Sequence, residues 1–405
     1  MSGSLDVLIL SKRSVGGVRH LAELLRKSGR RPVLVSENPE DMNRGACDAH
    51  VVVDWTADDP ERAVAAIDAA GVVPTAVVNL VDPLVQWQAR LARHYGLPGG
   101  EPAREVLVSK ARVREEMRRL GLSDLWFGHG AAGSYPVAEV PAYPVIVKPC
   151  TDSGSSRLVR RADDAEQLRA ALRDIGASAG PGFEVIVEEY VDGTEVSIDG
   201  PLIDGRFRGL LHVEKSGRDE VRNHDIGVLH SPVRGQRLTR GVELVERRIT
   251  ALCTDLGLDR GWLHVEARIA ADGGAELIEI NPRVAGGMHP AAITRTCGLD
   301  AVEEMLLMAL GQEDLERLGS AARNDELIGM VHIEPDRMGK VVEVTPLERM
   351  KELPGVLDGY VWDDFEVWSL DNENFFAAFM VTGGTEAEVA EAADRVHREF
   401  SFRLG

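Results

Sequence analysis

Gly261-Trp-Leu-His-Val-Glu-Ala-Arg-Ile-Ala270 alternates strictly, with Leu263, Val265, Ala267 and Ile269 on one side and Trp262, His264, Glu266 and Arg268 on the other. A period of two predicts a half-buried β-strand. In Ala275-Glu-Leu-Ile-Glu-Ile-Asn281, a second strand run, Leu277, Glu279 and Asn281 share a face. Between them lies Asp272-Gly273, the strongest short hairpin signal. A two-residue type I′ turn there pairs Ala271 with Gly274, and counting back sets Glu266 opposite Glu279 and His264 opposite Asn281. Carboxylates so placed have Cβ atoms roughly 4.5–5.5 Å apart and repel, so a positive group belongs between them. With Asn281 they make an oxygen-rich wall suited to Mg²⁺ held together with substrate phosphates. A solvated hairpin face is the plainer alternative, but Glu279 stands within Leu277-Ile-Glu-Ile-Asn-Pro282, an apolar run where a solvated carboxylate is out of place. A three-residue turn would slip the register by one and remove the opposition.

Upstream, Leu5-Asp-Val-Leu-Ile-Leu10, Arg31 to Ser36, Ala49 to Asp54 and Thr75 to Leu80 read as short strands, alternating with helices such as the one near Pro60 to Ala70. That order predicts a parallel sheet in an α/β domain ending near residue 95. The Ser14-Val-Gly-Gly17 loop lacks the G-x-G-x-x-G pattern and reads as a tight βα turn admitting substrate at the carboxyl ends of the strands. Leu97-Pro-Gly-Gly-Glu-Pro102 reads as a linker, followed by a charged helix from Ala103 to Leu120. After Gly298 come the helix Ala301 to Leu310, several short strands and a terminal strand, turn and helix.

Lys148 ends the apolar strand Tyr143-Pro-Val-Ile-Val-Lys148 and is followed by a Ser/Gly loop, Thr151 to Ser156. A cation beside a loop rich in N–H and hydroxyl donors meets the needs of phosphate binding, although a lysine capping a strand end also fits. Lys110 sits beside Arg112 and Arg114 on the charged helix, where a solvated face is the ordinary outcome. Glu188, Glu189 and Glu195 flank an Asp192-Gly193 turn, which suits recognition of an amino group and ribose hydroxyls or, equally, a surface hairpin.

The 405 residues suffice for two or three domains. A net charge of −20 argues against broad binding to nucleic acid or an anionic membrane, so any anionic ligand needs a local cluster of donors. Four cysteines without a C-x-x-C pair make structural zinc and disulfides poor readings. The amino terminus lacks a basic segment with a long apolar run, which leads to the expectation of a cytoplasmic protein.

Lys110, Val145-Ile-Val-Lys-Pro149, the Ser/Gly loop, Val187-Glu-Glu-Tyr-Val-Asp-Gly-Thr-Glu195, Glu266 and Glu279-Ile-Asn-Pro-Arg283, in that order, resemble the ATP-grasp superfamily, in its carboxylate–amine and L-amino acid ligase branch within the biotin-carboxylase-like group. The resemblance implies an α/β (α+β) fold of three parts: an N-terminal parallel α/β domain over 1–97, a two-lobed ATP-grasp domain over 98–298 with a mobile lid over about 123–195, and a small C-terminal α+β domain over 299–405. It implies ATP as cosubstrate, with Lys110, Lys148 and the loop residues Ser153, Gly154, Ser155 and Ser156 on the phosphates. Glu188 would accept from the adenine amino group beside Glu189, Val191 would give a backbone N–H to the ring, and Glu195 would bind ribose. Glu266, Glu279 and Asn281 would hold Mg²⁺, with Mn²⁺ as a substitute, and Arg283 would steady the transferred phosphoryl group. Gly286, Gly287, Met288 and His289 match a substrate segment, and Asp225 and His230 are candidates near the acceptor site, where an ordinary polar loop fits as well. The implied reaction joins a small carboxylate to an amine, with amino acids as substrates and a homodimer as an assembly. A biotin-carboxylase-like or purine-pathway enzyme and a non-catalytic nucleotide-binding protein are the alternatives.

Overall fold

The computed structural model describes residues 5–12, 17–57, 59–151, 154–219 and 224–405. The first four strands, Asp6–Ser11, Arg31–Ser36, Ala49–Val52 and Pro74–Asn79, form a parallel sheet in which Asp6–Ser11 lies between Arg31–Ser36 and Pro74–Asn79. Helix Gly17–Lys27 joins the first strand to the second, Pro60–Ala69 joins the third to the fourth, and Val85–Tyr95 follows the fourth. Val7, Leu8, Ile9 and Leu10 are all buried, as a parallel strand covered on both faces requires.

The expected helix from Ala103 to Leu120 is two helices, Ala103–Leu107 and Lys110–Arg119. Ser109 interrupts it because its hydroxyl caps the second helix, accepting from the Arg112 N–H. Lys110 thereby becomes the first residue of a helix, its own N–H bonded to the Cys150 carbonyl at 2.9 Å. A solvated face is not what forms: Lys110 and Arg114 are both buried.

An antiparallel sheet follows, in the order Phe127–Ala131, Glu184–Glu189, Val145–Pro149 and Arg160–Ala162, with helix Ala165–Ala179 packed on it. The largest sheet runs Ala275–Asn281, Gly261–Ile269, Thr194–Ile203, Leu211–Lys215, Leu229–Ser231, Leu327–Ile333, Ala377–Gly383 and Val356–Val361, so its hydrogen bonding continues past residue 298. Helix Glu386–Glu399, begun by a capping box at Thr385 and Glu388, packs on strands Ala377–Gly383 and Leu327–Ile333. Among the described residues no helix is long and apolar enough to cross a membrane.

Strand Gly261–Ile269 departs from the half-buried expectation, for it is buried along nearly its whole length. It is an interior strand, and Leu263, Val265, Ala267 and Ile269 pack under helix Gly235–Asp255. Its other face carries the polar side chains into a cleft.

The hairpin is made differently from the sequence expectation but reaches the same pairing. Ala270 N–H bonds the Gly274 carbonyl at 2.8 Å, Gly273 N–H bonds the Ala270 carbonyl at 3.0 Å, and Gly273 has φ +89°. This is a three-residue turn ending in a left-handed glycine, and the Asp272 carboxylate fixes it by accepting from the Gly274 N–H at 2.8 Å. Ile269 therefore pairs with Ala275 and Ala267 with Leu277, one residue out of the expected register. A β-bulge at Ile278 takes up the difference, and Glu266 again faces Glu279, with His264 facing Asn281. Leu277, expected on the face of Glu279, instead joins the core beside Ala267.

Candidate active site

The two sheets face each other across a cleft of about 1030 Å³, lined by Lys110, Lys148, Glu188, Lys215, Glu266, Glu279 and Arg283 among others. Its floor is the Glu266–Glu279 pair. Lys215 Nζ lies 2.6 Å from Glu266, and Lys110 Nζ lies 2.9 Å from Glu279. Burial works against ionisation of both acids, but Lys215 and His264 hold Glu266 well below the ordinary carboxyl range, and Lys110 holds Glu279 below it despite repulsion from Glu266. For Lys110, burial opposes the charge and Glu279 overrides it, so its pKa is raised. Both acids are thus carboxylates at neutral pH, as a hard-cation site requires. Asn281 Nδ2 donates to Glu279 Oε1 at 2.8 Å, which leaves its amide oxygen for coordination. Among the described residues no three His, Cys, Asp or Glu side chains gather into a metal-binding group. Two carboxylates and one amide oxygen therefore fit an oxygen-seeking divalent ion whose shell is completed by substrate oxygens and water.

One wall is a buried charge cluster. Lys148 Nζ contacts Glu188 at 2.5 Å, and Arg114 Nε contacts the same carboxylate at 2.9 Å. Burial alone would raise the Glu188 pKa, but Arg114 and Lys148 bring it down to about 2. Lys148 moves down because burial outweighs its carboxylate partner. Lys148 also donates to the carbonyl of the bulged Ile278 at 3.0 Å, and Arg114 donates to the Leu277 carbonyl, so these two cations pin the bulge that restores the Glu266–Glu279 opposition. The Glu188 carboxylate is consequently engaged by two protein cations. Glu188 lines the cleft, as do Glu189, Tyr190 and Val191 beyond it.

Glu195 pairs with Lys215 at 2.9 Å and with Arg268 Nε at 3.5 Å, while Arg268 donates to the Val191 carbonyl at 3.2 Å. Arg283 is clamped by both oxygens of Asp82, which belongs to the N-terminal region, and also lines the cleft. Gly154 and Ser156 line it as well, whereas Ser153 lies outside the described residues and the Ser155 side chain is not described.

The substrate-side candidates divide. Asp225 reaches Lys215 Nζ at 3.0 Å, and so contacts a residue of the floor. His230 does not: it sits on strand Leu229–Ser231 opposite Glu214, one residue from Lys215 and so on the other face of the sheet, in a separate pocket with Arg234 and Glu386. Met288 is likewise corrected, for it packs in the hydrophobic core with Ala292 and Ile293. Gly286 and Gly287 are exposed, and Gly287 has φ +60°. His289 is buried, bonded to Ser197 at 3.2 Å, and burial lowers its pKa to about 4. His264 is held by Asp199 at 3.0 Å; burial opposes its charge, yet Asp199 and Glu266 raise its pKa to about 10.

Sequence reasoning missed Lys215, Arg114, Asp82 and Asp199. Lys215 ends a strand as Lys148 does, and that shared placement was the only signal available for it.

Residues 141–291 match the ATP-grasp domain family. Carnosine synthase 1 of Gallus gallus is 27% identical over 341 residues, covering 76% of this chain and 35% of its own length. Dapdiamide A synthase of Enterobacter agglomerans is 26% identical over 232 residues, covering 53% of this chain and 51% of its own. The chain therefore spans a third to a half of these relatives. The crystal structure of L-amino acid ligase from Bacillus licheniformis shares the fold with a TM-score of 0.81 at 20% identity, covering 100% of both chains. Residues 141–291 are thus similar to the ATP-grasp domain, and the chain as a whole shares its fold with that ligase around a cleft that gathers lysines, an arginine and paired glutamates.

Proposed function

We propose that the protein forms an amide bond between a small carboxylate and an amine, amino acids among them, through an acyl phosphate, with release of ADP and phosphate. The observation that carries this is the pair of ionised, opposed carboxylates, Glu266 and Glu279, in a cleft that also holds Lys110, Lys148 and Arg283. A carboxylate resists attack by an amine because its carbon is electron-rich and oxide is a poor leaving group. Transfer of the ATP γ-phosphoryl group to a carboxylate oxygen makes phosphate the leaving group, and the amine then displaces it. The chain's part is positioning and charge. Lys110 and Lys148, with Gly154 and Ser156, take phosphate oxygens, Glu195 takes the ribose, and the backbone of Glu189 to Val191 takes the adenine edge. Arg283, aimed by Asp82, holds the transferred group and the acyl phosphate, while Gly286, Gly287, His289 and Asp225 face the substrates. Mg²⁺ bound by Glu266, Glu279 and Asn281 would supply neutralisation of phosphate charge. Residues 123–195 serve as the lid over this cleft.

The test is incubation with Mg-ATP and a panel of amino acids and small carboxylic acids. ADP and phosphate should appear only with a productive pair, and the amide should be seen by mass spectrometry. Release of AMP and pyrophosphate refutes the acyl phosphate.

A further inference from the structure

The cleft does not stop at the glutamate floor. A second chamber of about 550 Å³ opens beside it, sharing Asp82, Lys110, Gly154 and Glu279 with the cleft and adding Lys12, Gln86, Thr151 and Asn281. Lys12 follows strand Asp6–Ser11, and Gln86 lies in the first turn of helix Val85–Tyr95, which follows strand Pro74–Asn79. Both sit at the carboxyl end of the parallel sheet, where α/β folds place ligands.

The chamber's other charges are spent. Lys110 is paired with Glu279, and Asp82 with Arg283. Among the described residues, Lys12, Gln86 and Thr151 have no side-chain hydrogen bond or ion pair, and each is half-buried. In a chain with 66 acids against 46 bases, a half-buried ammonium without a carboxylate is conspicuous for what it lacks. Partial burial raises the cost of leaving it unpaired, and an anion in the chamber removes that cost.

We propose that this chamber binds a non-reacting carboxylate carried by a substrate, with Lys12 as its cation and Gln86 and Thr151 as its hydrogen-bond partners. The inference rests on the ligase reading. A molecule anchored there extends past Lys110 and Glu279 to the phosphates, so the enzyme selects a substrate that is anionic at the end remote from reaction. Two sources share this chemistry: the second carboxylate of a short dicarboxylic acid, and the α-carboxylate of an amino acid that supplies the amine. A neutral carboxamide in the same position leaves the ammonium unpaired and is discriminated against.

The experiment compares wild type with Lys12→Met and Gln86→Leu in the full chain. Phosphate release is measured with succinate against succinamate as acid, and with L-alanine against L-alaninamide as amine. In Lys12→Met the KM of one carboxylate member rises about ten- to a hundredfold while its amide counterpart and ATP keep theirs. Which pair responds identifies the source. An unchanged KM for both carboxylates, or an equal rise for ATP, overturns the proposal. Calorimetric titration of the MgADP-loaded protein with succinate and with L-alanine reads the chamber without turnover. Weaker binding to both variants with MgADP affinity retained supports it; no binding of either carboxylate, or equal binding of the amides, overturns it. Absence of phosphate release with every substrate counts against the ligase reading, and the titration still decides the chamber.

Discussion

Replacing Glu188 by Gln removes one charge and almost no volume, so it isolates what the buried carboxylate contributes. Its side chain is 6% exposed and lies 2.5 Å from Lys148 and 2.9 Å from Arg114. Its pKa falls from an ordinary 4.5 to about 2. A difference of about 2.5 units at roughly 1.4 kcal/mol each gives about 3 kcal/mol of stabilisation at pH 7. Because the folded-state value is depressed, this stabilisation is complete above the unfolded value and lost as pH falls through the folded one. It is therefore the same at pH 6 and pH 8, drops to about 2 kcal/mol at pH 3.5, and vanishes below about pH 2. Breaking one partner from a buried pair is independently expected to cost about 3–5 kcal/mol, since Arg114 and Lys148 are left crowded together. Urea denaturation followed by tryptophan fluorescence should show the midpoint shifted with the wild-type slope kept. A penalty below about 1 kcal/mol at pH 7 refutes the reasoning. So does a penalty as large at pH 3.5 as at pH 7, because the charge would then not be its source.

Glu279→Gln should lower phosphate release by at least about a hundredfold, since one charged oxygen wall of the transfer site is gone; wild-type turnover would remove Glu279 from the metal site. Lys148→Ala should raise the ATP dissociation constant about tenfold or more, read by calorimetry, and an unchanged constant would take Lys148 out of the phosphate site. Gly273→Ala forces a side chain to φ +89° and should cost about 1 kcal/mol in the thermal or urea midpoint, with no change arguing against the three-residue turn.

The hairpin shows how legible the site was. Period-two alternation over Gly261–Ile269 names the face that carries His264, Glu266 and Arg268, because side-chain direction along a strand is a local property. The register of its partner strand is not local in that sense. The Asp272-Gly273 signal fits a two-residue turn or a three-residue one, and the second was formed once the Asp272 carboxylate captured the Gly274 N–H. Glu266 faces Glu279 only because Ile278 bulges, and the carbonyls on that bulge are held by Lys148 and Arg114 from more than a hundred residues away. The expected pairing was reached by a route the sequence reading did not contain.

The same division separates the candidates that joined the cleft from those that did not. Lys148 and Arg283 stand near a strand end and at a strand exit, both readable from neighbouring residues, whereas the helix start at Lys110 emerged only in the structure. His230 and Met288 had comparable local settings, and placement on the other sheet face and core packing, respectively, turned them away. By itself the sequence determined the succession of strands and helices and the polar face of the central hairpin, since each depends on spacing along the chain, and it carried an order of motifs that resembles ATP-grasp enzymes. The tertiary structure alone decided which cation answers which acid: Lys215 for Glu195, Asp225 and Glu266, Arg114 for Glu188, Arg283 for Asp82. Those partners lie 10 to 201 residues apart, and buried charges are matched by distance in space, which no local pattern encodes.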